Sequence, residues 1–257
     1  MIDLVSPGII EYAGAFESIS LAQIEAVKLM NRVDAKFLIP VSLLPALLSD
    51  LLPSYQVLEV NNYRLCEYQT LYFDTPDFRL YHEHQRGRHN RYKIRQRYYV
   101  QSDTAFTEVK FKNNKGRTIK TRIQNKHFPG FVLDEESKTF LAEQTPFNPA
   151  SLQPMLWVDY TRLTLVHRTS VERLTLDLNL SFRNATSQES YPQVVIAEVK
   201  QESLRNSYFL HLMKQYQLRE GSISKYCLGV ISLYHRIKQN RFKAKLRYLQ
   251  KLNSQSR

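Results

Sequence analysis

The sequence predicts an α+β fold: an antiparallel β-barrel of about eight strands, flanked by helices. Three observations predict it. Between residues 68 and 200, polar and apolar residues alternate in run after run, the period of a half-buried strand. Turn-forming residues, not helices, separate most of these runs, which favours antiparallel neighbours over alternating strand–helix units. The apolar helical patterns gather mainly towards the two ends of the chain.

In order, Ser20–Met30 (SLAQIEAVKLM) reads as a helix, with Ser20 as N-cap and Leu21, Ile24, Val27 and Lys28 at helical spacing. A short strand follows over Arg32–Ile39, then an apolar helix over Val41–Leu52 that Pro53 closes. Tyr68–Phe73 reads as a strand ending in a turn at Asp74-Thr75-Pro76-Asp77. Arg91–Val100, Phe106–Lys112, Thr118–Ile123, Trp157–His167, Val171–Phe182 and Val194–Lys200 supply the remaining strands. Ser137–Gln144, Glu202–Tyr216, Lys225–Tyr234 and the stretch from Arg236 read as helices. Residues 1–235 form one expected domain and residues 236–257 a basic helical tail.

Composition excludes several classes. The 257 residues are 43% hydrophobic, too apolar for a disordered chain. Seven glycines with no Gly-rich loop disfavour a P-loop or a dinucleotide fingerprint. Two cysteines, Cys66 and Cys227, provide neither a disulfide framework nor a cysteine-based zinc site, and fit a reducing cytoplasm. No apolar run reaches the ~18–20 residues of a membrane span, and the opening MIDLVSPGIIEY lacks the basic start of a secretory signal. The formal charge of +12 asks for an anionic partner. Eight of those charges lie in the acid-free tail, leaving +4 for residues 1–235.

The body's signal is therefore sorting, not net charge. Arg91, Lys93, Arg95 and Arg97 share one strand face; so do Glu108, Lys110 and Lys112, Lys120 and Arg122, and Tyr160 and Arg162. Arg173, Thr175, Asp177 and Asn179 alternate with leucines, Glu198 and Lys200 oppose Ala197 and Val199, and Arg32, Asp34 and Lys36 alternate with Val33, Ala35 and Phe37. These faces hold thirteen cations against four acids, a density that repels itself unless an anion neutralises it. A barrel charged inside and apolar outside satisfies the pattern and leaves room for a thin linear ligand, a polyanionic chain or a nucleoside triphosphate. A carboxylate in such a lumen suits Mg²⁺ or Mn²⁺, and Glu198 is the best-placed ligand; the competing role is an internal ion pair with lysine.

The segments RVDAKFLIP (Arg32–Pro40), YFDTPDF (Tyr72–Phe78), RYKIRQR (Arg91–Arg97), TEVKFK (Thr107–Lys112), YTR (Tyr160–Arg162), RLTLD (Arg173–Asp177), AEVK (Ala197–Lys200) and SKYCLG (Ser224–Gly229) occur in this order. Together they resemble the VTC catalytic domain, the polyphosphate polymerase of the triphosphate tunnel metalloenzyme (CYTH-like) superfamily. The resemblance implies an antiparallel tunnel in which the γ-phosphate of ATP moves onto a polyphosphate chain with Mn²⁺ or Mg²⁺. It places phosphate contacts at Lys36, Arg95, Arg97, Lys110, Tyr160, Arg162, Ser224 and Lys225, and the metal at Glu198 beside Lys200. Arg32, Lys93, Lys120, Arg122 and Arg173 join them as phosphate- or nucleotide-binding candidates from their faces. Two positions depart from the pattern: Arg32 stands where hydrolytic tunnel enzymes have an acid, and Ser222 where a lysine is expected. Triphosphate hydrolysis and binding without turnover are the rival functions, and a nucleic acid is the disfavoured partner.

Three further signals stand apart. His82, His84 and His89 allow a transition-metal site or an exposed hairpin tip. Trp157 with Tyr160, and the group Tyr92, Tyr98 and Tyr99, allow base stacking or packing on the outer face. In the tail, Phe242, Leu246 and Leu249 make an apolar stripe, so it reads as a solvated helix or as a basic amphipathic helix that docks on the inner face of a membrane or a membrane-bound partner.

Overall fold

Alternation becomes sheet wherever it was expected. The computed structural model describes residues 6–26, 33–125, 133–201 and 207–254. Its strands are β1 (Ser18–Ser20), β2 (Val33–Pro40), β3 (Tyr55–Glu59), β4 (Leu65–Asp74), β5 (Arg91–Tyr99), β6 (Thr104–Lys112), β7 (Thr118–Asn125), β8 (Gln153–His167), β9 (Glu172–Arg183), β10 (Gln188–Tyr191) and β11 (Val194–Gln201). The helices are α1 (Pro7–Ala15), α2 (Leu21–Ala26), α3 (Leu44–Leu51), α4 (Arg79–Arg86), α5 (Glu135–Gln144), α6 (Tyr208–Gln215), α7 (Lys225–Leu233) and α8 (Asn240–Ser254).

The main path of the sheet runs β2-β11-β9-β8-β4-β5-β6-β7, with every neighbouring pair antiparallel. The expected antiparallel barrel of about eight strands is present as a curled sheet; among the described residues β2 and β7 do not pair, so the curl is not strictly closed. The curl still brings Lys36 of β2 and Lys120 of β7 to one cavity.

Two cores cover the outside of the curl. Ala35, Phe37, Ile39, Leu163, Leu165, Leu174, Leu176 and Leu178 pack beneath α1, α3 and α6. Leu71, Phe73, Ile94, Val109 and Trp157 pack with Phe140 and Leu141 of α5. A third core lies inside one end of the curl. There Leu156, Val158, Tyr160, Leu180 and Phe182 meet Tyr226, Cys227, Val230 and Ile231 of α7. Gly229 permits that approach: a Cβ there would stand 2.6 Å from Leu156 Cδ2 and 2.8 Å from Phe182 Cδ1.

The alternation along β9 breaks at Asn179, which has φ 52°, where the register with β8 shifts between Asp159 and Thr161. The extra residue reverses which residues face inward. Asp177 therefore faces the charged part of the trough, while Leu180 and Phe182 beyond the bulge meet α7. The expectation that Asn179 simply continues the Asp177 face is corrected.

Several boundaries also shift. The first expected helix appears as α2, directly after Ser20 at the end of β1, and residues 27–32, including Arg32, lie outside the described residues. The expected helix from Glu202 is described only from Tyr208. His82 and His84 lie on α4 rather than at a hairpin tip, and His89 lies in the bend after Gly87. The buried Asp74 carboxylate accepts hydrogen bonds from the Leu80 and Tyr81 amides, satisfying orphan donors at that helix start. Among the described residues no three His, Cys, Asp or Glu side chains converge, so the three histidines build no metal site there. No helix among the described residues is long and apolar enough to cross a membrane. The apolar stripe of α8 is covered: Phe242, Leu246, Leu249 and Leu252 are buried in the α7 core, so this face is not available to lipid.

Candidate functional site: a cation-lined trough

The inner strand faces enclose a cavity of about 830 Å³. β5 contributes Arg91, Lys93, Arg95 and Arg97, and β6 and β7 contribute Lys110 and Lys120. Across the trough stand Tyr160 and Arg162 of β8, Glu198 and Lys200 of β11, and Asp34 and Lys36 of β2. Ser224 and Lys225, at the start of α7, line it as well. Arg122 and Arg173 do not join this lining: the Arg122 guanidinium lies 4.3 Å from the Phe106 ring centroid, and Arg173 donates to the Ile24 carbonyl at 3.4 Å.

Three carboxylates hold the cations in place, and each serves two of them. Glu108 accepts from Arg95 Nε at 2.7 Å and pairs with Lys120. Asp177 takes Arg162 in a fork, Nε to Oδ1 at 2.5 Å and NH2 to Oδ2 at 2.9 Å, and also pairs with Lys225. Glu198 accepts from Lys36 Nζ at 2.7 Å and lies 3.7 Å from Lys200 Nζ. The lysine–glutamate pair considered from sequence is thus present. Lys93, Arg97 and Lys110 have no carboxylate within ion-pair distance among the described residues.

These pairings set the ionisation of the site. Burial opposes charge on Glu108, yet Arg95, Arg97 and Lys120 hold its carboxyl well below the usual carboxylate range. Burial likewise opposes charge on Asp177, but Arg162 and Lys225 bring it down to about 2. Lys200 and Lys36 do the same for Glu198 against its burial. The lysines move in the sense that crowding dictates. Lys110 is pushed well below its ordinary value by the Arg95 charge, then by burial and Arg97. Burial brings Lys120 down to about 8 despite Glu108.

Among the wall residues, Tyr72 was not legible beforehand, whereas Tyr160 was. Tyr72 accepts from Arg95 NH1 at 3.2 Å, and its ring stacks on Tyr226 at 4.9 Å. Tyr160 has a buried hydroxyl with no partner, and its ring is approached by Lys225 Nζ at 4.8 Å and by the Arg162 guanidinium at 5.2 Å. Trp157 and Tyr92 pack on the outer face instead. His84 contacts the Tyr92 carbonyl at 3.0 Å, and burial with the Lys93 charge keeps it neutral down to about 2. Most unexpectedly, α8 of the tail sends Arg241 and Lys245 into the lining. Lys245 Nζ donates to the Ser222 carbonyl at 2.6 Å and to its hydroxyl, so an ammonium group from another element stands at Ser222.

Comparison with known proteins fits this geometry. The VTC domain model matches residues 31–234, and the chain belongs to that family. Among solved structures, a protein of Bacillus halodurans described as a candidate adenylate cyclase aligns with TM-score 0.51 at 14% identity, covering 79% of this chain and 97% of its own. A candidate adenylyl cyclase of Hippeastrum, described as having a dominant triphosphatase activity, aligns with TM-score 0.48 at 14% identity, covering 78% of this chain and 95% of its own. The first likeness shows a shared fold. No curated protein sequence matches the chain.

A polyanion in the trough would restore the protons that neighbouring cations and burial remove from Lys110 and that burial removes from Lys120. Binding of inorganic tripolyphosphate is therefore expected to take up protons near pH 8, and affinity should fall as the pH rises further. Calorimetric titration in buffers of different ionisation enthalpy measures this; a heat independent of the buffer would contradict it.

Proposed function

We propose that the chain transfers the γ-phosphoryl group of ATP onto the end of a polyphosphate chain. The observation that carries this reading is the state of the three carboxylates that hold the cavity's cations. Glu108, Asp177 and Glu198 are all ion-paired and held far on the ionised side, so they are weak bases. Attack by water needs a base; the terminal phosphate of a polyphosphate arrives already anionic.

In this reaction a terminal oxygen of the acceptor attacks the γ-phosphorus in line. The bond from that phosphorus to the β,γ-bridging oxygen breaks, ADP leaves with the electron pair, and the acceptor is one phosphate longer. Arg95 and Arg97 present planar forks to phosphate oxygens, while Lys36, Lys110 and Lys200 act as point charges. The partnerless Tyr160 hydroxyl is a donor for a further oxygen. Arg162 and Lys225, fixed by Asp177, keep the positive wall in position as charge moves towards the leaving group.

A divalent cation fits here only in one mode. No three ligating side chains converge among the described residues. Glu198, with Asp34 also on the wall, would hold Mg²⁺ or Mn²⁺ through one or two carboxylates, phosphate oxygens and water completing the shell. When bound, the ion would supply further charge neutralisation.

Hydrolysis to orthophosphate is the second reading, favoured by one observation: the depressed Lys110 offers an amine able to take a proton from water. Incubation with ATP and Mn²⁺, with products resolved by length, separates the two. Long-chain polyphosphate is the expected product, and orthophosphate alone would overturn the transfer reading. Glu198→Gln is expected to abolish the metal-dependent part of turnover; unchanged metal dependence would refute the assignment of Glu198.

A further inference from the structure

The cations along β5 outrun a triphosphate. Arg91 and Arg97 are six residues apart, about 20 Å at strand rise, and all four basic residues of the run line the cavity. At the Arg91 end the wall is completed by α8. Arg241 and Lys245 are one helical turn apart and so share a face. The buried residues Phe242, Leu246, Leu249 and Leu252 clamp that helix to the α7 core, which fixes the direction of this face.

The local geometry keeps these charges in place without neutralising them. Arg241 rests against Gly87, where a Cβ would stand 2.2 Å from its NH1 atom, so the glycine makes room for the guanidinium. Lys245 is oriented by the Ser222 carbonyl and hydroxyl, both neutral acceptors. Arg91 donates to the Arg88 carbonyl at 2.5 Å, while its buried Nε has no partner. No carboxylate among the described residues lies within ion-pair distance of any of the three. Burial and the Arg241 charge lower the proton affinity of both Arg91 and Lys245, as expected of cations held together without an anion.

We propose that Arg91, Arg241 and Lys245 form a second anion subsite, which holds phosphate groups of a linear polyphosphate beyond the three bound around Arg95, Arg97 and Lys110. The subsite rests on the tunnel reading given above and extends it to a segment first read as a separate tail. Its role is binding and positioning: it fixes the part of the chain at the Arg91 end of β5 and so favours long polyanions over short ones.

The test compares binding of inorganic tripolyphosphate and of size-fractionated long-chain polyphosphate by the full chain. One variant is Arg241→Ala/Lys245→Ala. The control, Lys243→Ala/Arg247→Ala, removes the same charge from exposed positions of the same helix. Losing two charge-assisted contacts is expected to weaken long-chain binding about tenfold or more in the first variant, leaving tripolyphosphate within about twofold. The control should leave both ligands within about twofold. Equal weakening in the two variants would overturn the subsite in favour of bulk charge. Equal weakening of both ligands in the first variant would overturn it by placing Arg241 and Lys245 in the triphosphate site. Failure of the unaltered chain to bind tripolyphosphate would overturn the tunnel reading itself.

Discussion

An Arg97→Met chain is expected to melt at the same temperature as the unaltered protein or a few degrees higher, and to turn over triphosphate about 100- to 1000-fold more slowly. Arg97 is 8% exposed, and its Nε donates to Thr70 Oγ1 at 3.1 Å. Its guanidinium carbon lies 5.5 Å from the Tyr68 ring centroid and 5.9 Å from that of Tyr160. Aromatic faces and one hydroxyl do not repay the desolvation of a cation, and no carboxylate stands within ion-pair distance among the described residues. Methionine has a similar length and fills the space between two rings without that cost. In the proposed reaction the same charge clamps phosphate, so its removal is felt where charge moves. Arg97→Lys keeps the charge but loses the fork, and should recover only part of the activity. Thermal melts and initial rates decide the matter: retained turnover, or a large loss of stability, would make Arg97 a structural residue.

That opposition between stability and function shows what sequence can disclose. Alternation named the residues that share a face because the constraint is local: every second side chain points the same way. Lys36, Arg95, Arg97, Lys110 and Glu198 were legible for this reason. The bulge at Asn179 was not, since it depends on how two strands register. Helix α4 escaped because its sequence, RLYHEHQR, is mostly polar and its start is capped by Asp74 from the preceding strand. The tail posed the hardest case. An apolar stripe of Phe242, Leu246 and Leu249 looks the same whether it meets lipid or its own sheet. Only packing shows that it covers α7 and turns Arg241 and Lys245 inward. For the same reason Arg122 and Arg173 fit the pattern of the lining residues yet stand outside the cavity.

Asp177→Ala should produce the largest loss of stability, about 3–5 kcal/mol, because it strands two cations at once. Asp177 is 1% exposed and accepts from both Arg162 and Lys225. At about 2–4 °C per kcal/mol for a chain of this size, the melting temperature should drop by roughly 10 °C. Acid gives a second signature. Depressed to about 2 in the folded protein, against about 3.9 when unfolded, the carboxyl contributes its full stabilisation above pH ~4 and loses it as the pH falls towards about 2. The alanine chain lacks that contribution, so its stability should decline less steeply over the same interval. A third signature ties the residue to the site. With Asp177 gone, a bound polyanion becomes the available counter-charge for Arg162 and Lys225. Saturating tripolyphosphate should therefore raise the melting temperature of the variant by more than it raises that of the unaltered chain. An equal or smaller rise would mean that these two cations do not face the ligand, and would remove Arg162 and Lys225 from the phosphate wall.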